Sequence, residues 1–136
     1  MSYLDRDPHG MYRSTEDKKG PGPALMGADT LIGEDVMNNK GDDLGDIKEI
    51  MLDMRTGKIA YAVLSYGGVL GMGKRLFAVP WSALKLDTQS KCFRLDIAKA
   101  DLDNAPGFDA DDWPSMVDEN WAKSIHSYYK AKPYWD

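Results

Sequence analysis

The sequence has one cysteine, two histidines and no excess of basic charge. With Cys92 alone, no intrachain disulfide can form and no cysteine-based metal knot can be built. A lone thiol fits a reducing compartment. Long apolar runs are missing too. No stretch approaches the roughly 20 apolar residues that a membrane-spanning helix requires. Met1 to Asp7 is polar and lacks the apolar core of a signal peptide. A soluble, cytoplasmic protein without membrane insertion is the expectation. Lys and Arg number 17 against 22 Asp and Glu, for a net charge of -5. That sign is wrong for holding a phosphate backbone through bulk charge, so direct nucleic-acid binding is not expected.

What is present suffices for one domain. The chain has 136 residues, of which 43% are hydrophobic and 29% charged, an ordinary globular balance. Its longest apolar runs lie between Leu44 and Trp81, and turn residues break them. Ile50–Met54 precedes Arg55-Thr56-Gly57-Lys58. Ile59–Leu64 precedes a glycine-rich loop, and Leu76–Trp81 follows it. Short β-rich runs separated by glycines predict consecutive antiparallel strands. Ile50, Leu52 and Met54 share one face of their strand, and Ile47 falls on the other. A β-bulge near Lys48-Glu49 would return Ile47 to the interior. Ile59–Leu64 is apolar on both faces, so a small barrel would bury one face and leave the other to be covered by another element or subunit.

On either side of this meander the character changes. Met1–Pro23 is polar and rich in breakers, and residues 1–24 are expected to form a flexible, disordered arm with Tyr3, Met11 and Tyr12 as its only anchors. A β domain is expected over 25–106. Its first strand is read at Leu31–Met37, followed by a turn over Asn38–Asp43. Pro80 marks a strand end or sheet edge. Leu84–Asp87 and Cys92–Ile97 read as a final hairpin, whose alternation places Cys92 on the more polar face. Ala98–Asn104 is a short helix closed by Pro106-Gly107. Residues 107–136 make an acidic connector and a C-terminal helix. Ser115-Met116-Val117-Asp118 matches a capping box, and Val117, Trp121, Ile125 and Tyr128 form an apolar stripe at helical spacing. A helix carrying Trp121 and Tyr128 needs a surface to cover, and the outer face of the third strand is one candidate.

Gly68-Val69-Leu70-Gly71-Met72-Gly73-Lys74 resembles a phosphate-cradling loop. Arg75 replaces the magnesium-binding Ser or Thr, and a strand follows where a helix N-terminus is required. A structural hairpin loop over 67–74, built on Gly67, Gly68, Gly71 and Gly73, is the preferred reading. Val69, Leu70 and Met72 at its tip are either a contact patch or barrel packing. Asp109, Asp111 and Asp112 lack the glycine turn and terminal glutamate of a calcium loop. His126 lies beside Ser124 and Ser127 in sequence only, which is not triad geometry. No catalytic residue, cofactor or metal site is assigned.

Between Leu31 and Pro106 the combined order of motifs resembles the PRC-barrel family. The residues that carry the likeness are Gly33-Glu34-Asp35-Val36, Gly41 with Leu44-Gly45-Asp46-Ile47, and Asp53, Gly57 and Lys58. Tyr61–Gly68, Leu70-Gly71 and Phe77–Leu84 continue it. The resemblance implies a mainly β fold, a small and strongly bent antiparallel barrel, here with an added C-terminal amphipathic helix. The family takes its name from the cytoplasmic domain of the photosynthetic reaction-centre H subunit, and a version occurs in a ribosome-maturation factor. Met1–Pro23 cannot be the H subunit's membrane helix, and the ribosomal factor's second domain has no counterpart here. The chain is more similar to free-standing bacterial members.

Together these features lead to the expectation of a non-catalytic interaction or assembly module, self-associating as a homodimer or docking another protein. The resemblance extends this to a link with photosynthetic electron-transport complexes. The contact residues expected are Val69, Leu70, Met72, Trp121, Ile125 and Tyr128. Two alternatives stand beside it: a nucleotide or metal binder, or enzyme, using the loop 67–74, and an adaptor of the ribosome-maturation type.

Overall fold

The computed structural model describes residues 26–67, 75–87 and 89–136. The arm expected over 1–24 lies outside them. Six strands form one strongly curled sheet in the order β4-β3-β2-β1-β6-β5. They are β1 (Asp35–Met37), β2 (Asp43–Asp53), β3 (Lys58–Tyr66), β4 (Arg75–Pro80), β5 (Leu84–Asp87) and β6 (Cys92–Leu95). Among the described residues three α-helices accompany them: α1 (Ala28–Leu31), α2 (Lys99–Asp103) and α3 (Glu119–Tyr128). Among the described residues, no helix is long and apolar enough to cross a membrane.

The expected antiparallel pattern holds for β1–β2, β2–β3, β3–β4 and β5–β6. The seam between β1 and β6 is parallel, with Val36 opposite Phe93. Pro80 closes β4, the last strand of one sheet edge, where a missing N–H costs no ladder bond. The first strand is shorter than its sequence suggests. Leu31 belongs to the single-turn α1, and Gly33 takes φ 90°. That left-handed corner lets Gly33 N–H reach Ile47 O at 2.6 Å and delays the strand to Asp35.

The bulge predicted in β2 is present. Ile47 faces Leu64 and Glu49 faces Val63, so Lys48 is the extra residue, and Ile47 is fully buried. A second register shift follows between Met51 and Leu52. The extra residue there is Ala60 of β3, so the alternation of β2 is unchanged. Leu52 and Met54, expected inside, are 52% and 86% exposed because the hairpin end runs past Ile50, the last β2 residue packed on the main core, and Asp53 is buried instead. Inside the curl, Val36, Leu44, Ile47, Ala62, Leu64, Phe77, Val79, Phe93 and Leu95 form the main core. Cys92 is buried despite sharing a strand face with Arg94. Burial pushes its thiol up, which makes it a poor nucleophile.

On the outer face of β3 lies a second cluster. Tyr61 and Ala78 are buried there with Ile125 of α3, and Met51, Met116, Trp121 and Tyr134 pack against them. The C-terminal helix therefore covers its own barrel. Its start differs from the expected capping box. Asp118 is the N-cap and accepts from Asn120 N at 2.9 Å and Trp121 N at 3.1 Å. Val117 precedes the helix and is 79% exposed, so the buried stripe begins at Trp121.

Candidate functional site

The β2–β3 hairpin turns at Arg55-Thr56-Gly57, and Asp53 organises the turn. Its backbone carbonyl accepts from Thr56 N and Gly57 N, and its carboxylate accepts from Arg55 N at 2.9 Å. The Arg55 side chain closes a bidentate pair on the same carboxylate through Nε and Nη2, each at 3.1 Å. A fourth donor comes from the far end of the chain: the Tyr134 hydroxyl, at 2.8 Å. The Arg55 guanidinium, the Tyr134 hydroxyl and the Arg55 N–H hold the Asp53 carboxyl well below the usual carboxylate range, outweighing burial.

Tyr134 arrives there because α3 ends in a left-handed turn. Lys130 has φ 55°, Lys130 N–H donates to Ser127 O, and Ala131 N–H donates to His126 O at 2.9 Å. The chain reverses and residues 131–136 lie as a strap over the junction of β3 and α3. The Tyr134 ring meets Tyr61 edge-on at 6.1 Å, and Trp135 meets His126 at 5.1 Å. Lys58 Nζ donates to Tyr134 O at 3.3 Å. Beneath the strap, Tyr61 and His126 lie 5.4 Å apart. His126 Nδ1 is 2.8 Å from Ala122 O and must carry a hydrogen, since a carbonyl only accepts. His126 Nε2 and the Tyr61 hydroxyl are buried and have no hydrogen-bond partner among the described residues.

Beside the strap runs an open groove. Two adjoining hollows of about 330 and 550 Å³ share Asp53, Arg55, Met116, Val117 and Tyr134. Leu52, Met54, Val117 and Trp135 line it, four of the six large apolar side chains exposed among the described residues. Its other walls include Met51 and Tyr61. Three methionines, Met51, Met54 and Met116, give it an adaptable thioether lining. Among the described residues, no three His, Cys, Asp or Glu side chains are grouped to hold a metal.

The residues expected to make contacts fall in two places. Val69, Leu70, Met72, Gly68, Gly71 and Gly73 lie outside the described residues, and Gly67, just after β3, has φ 88°. Trp121 is half-buried, with its ring 5.4 Å from Tyr61. Ile125 is 1% exposed. Tyr128 is half-buried and its hydroxyl donates to Asp101 O. These three helix residues pack within their own chain. The groove residues Leu52, Met54, Met116, Val117 and Trp135 were hidden in the sequence because they come from three distant segments.

A six-stranded, strongly curled sheet around one core, with a helix laid on its outer face, is the architecture of a small bent β-barrel domain. A family model for the PRC-barrel domain matches residues 24–102, more than half of the chain. The chain belongs to the PRC-barrel family. No curated protein matches it.

Proposed function

We propose that this chain is a non-catalytic interaction module that self-associates through the groove between the β2–β3 hairpin and the C-terminal strap. One observation carries the reading: among the described residues, most of the exposed large apolar side chains gather on that groove instead of being scattered. Isolated apolar residues on a surface are ordinary, whereas a contiguous group rimmed by polar residues marks a contact site. Arg55 and Glu119 supply such a rim. The charged groups at the centre support binding over chemistry. Asp53 is engaged by four donors, which leaves it poorly placed to take a substrate proton.

Sedimentation of the full chain up to about 1 mM tests this, a range that reaches associations of roughly 4 kcal/mol. A concentration-dependent dimer is expected. Met54→Lys and Val117→Lys should each weaken it at least tenfold while leaving the melting temperature within a few degrees. A wild-type chain that stays monomeric throughout would contradict self-association.

A further inference from the structure

The strap itself indicates how two copies would engage. We infer that residues 131–136 occupy a seat on their own barrel that the same segment of a second copy can take, so that dimers form by exchange of the C-terminal strap. This rests on the reading of the chain as a self-associating module and names the route.

The seat is built for this segment. Asp53 receives the Tyr134 hydroxyl, Lys58 Nζ donates to its carbonyl, and Tyr61 and His126 receive its aromatic rings. A second copy carries identical groups, so every one of these contacts can be remade between chains. The strap is also separable. It joins α3 through two residues, the C-cap Tyr129 and Lys130, and Lys130 is held at φ 55° without being glycine. Releasing that residue from the left-handed region removes the reversal and points the tail away from its own barrel.

Nor is the closed arrangement fully satisfied. The Tyr61 hydroxyl and His126 Nε2 lie beneath the strap with no partner among the described residues, although both residues are at most 2% exposed. Buried polar atoms left unpaired disfavour the state that buries them. Opening hydrates both, which lowers the barrier that the strap must cross to exchange. The groove beside the seat remains open while the strap is home, leaving apolar surface for a second barrel to cover.

The test uses the full chain and an acetylated peptide of residues 130–136. The double variant Tyr134→Ala/Trp135→Ala keeps the seat but loses the occupant. It should sediment as monomer and bind the peptide at least tenfold more tightly than wild type does. Adding Asp53→Asn to that background should weaken peptide binding at least tenfold. Excess peptide should dissociate wild-type dimers. A double variant that dimerises like wild type overturns strap exchange and leaves self-association through the groove standing. Wild type that is monomeric at every concentration overturns both. A folded double variant that binds no peptide also overturns the inference. Should the double variant lose its far-UV circular dichroism, Tyr134→Phe decides, because it removes only the hydroxyl on Asp53. It should shift the dimer fraction, and an unchanged fraction overturns the proposal.

Discussion

Gly45 lies where β2 passes close to the backbone of β3. Its φ is +99°, and a Cβ built there would sit 2.2 Å from the backbone oxygen of Ser65. Backbone cannot swing aside as a flexible side chain would, so both strain and overlap oppose any larger residue. Gly45→Ala is expected to destabilise the chain by about 2–3 kcal/mol, read as a lower urea midpoint at an unchanged slope. Nothing local in the sequence marks this glycine apart from the family pattern, because the clash is with a residue twenty positions away. Cys92 shows a related limit. Alternation assigned the correct side of the strand, shared with Arg94, but parity says nothing of what lies over that side. Leu52 and Met54 were misplaced for the opposite reason. An apolar pattern reads as interior, but these two residues lie at the hairpin end, beyond Ile50, the last β2 residue packed on the main core.

At the scale of elements, α3 carries the clearest expectation. Ile125 is buried between the helix and Tyr61 of β3 within one chain. Ile125→Ala should therefore cost about 2–4 kcal/mol of stability. Equal loss of melting temperature in dilute and concentrated samples would place its partner in the same chain, and a loss confined to concentrated samples would place it in another. The need of β3 for an outer cover was legible, because Tyr61 and Val63 alternate with Ala62 and Leu64 and no polar face remains. The helix start was not. Ser115-x-x-Asp118 fits a capping box, but Asp118 is itself a good N-cap and took the role. The β5–β6 hairpin is tied to the β1–β2 turn by Arg94. Its Nη1 donates to Asn38 O at 2.7 Å and its Nε to Asp87 at 3.1 Å. The sequence holds both halves of that tie, 56 residues apart, with no sign that they meet.

For the whole molecule, acid is the revealing variable. The Arg55 guanidinium and the Tyr134 hydroxyl keep the Asp53 carboxyl below its usual range. The folded chain therefore binds fewer protons than the unfolded one between Asp53's folded value and its unfolded value of about 3.9. The stabilisation is complete above that window and is lost as pH falls through it. Backbone N–H donation at Ser90 and the Arg94 side chain act on Asp87 in the same direction. Wild type should lose melting temperature steeply below about pH 4. Asp53→Asn should begin lower at pH 7 and lose less on acidification, and parallel curves for the two proteins would refute the clasp. The curled sheet was foreseeable from the run of short strands and the family pattern. Its parallel seam was not, since Val36 and Phe93 become neighbours only when the chain closes on itself. That seam has a topological meaning. Strands β2 to β4 make one leaf and β5 with β6 the other, and β1, three residues long, is the spine that binds them. Each leaf presents one side of the main core, which is complete only when the two close on it. Among the described residues, the shortest strand of the sheet is therefore the one whose ladders join the two leaves.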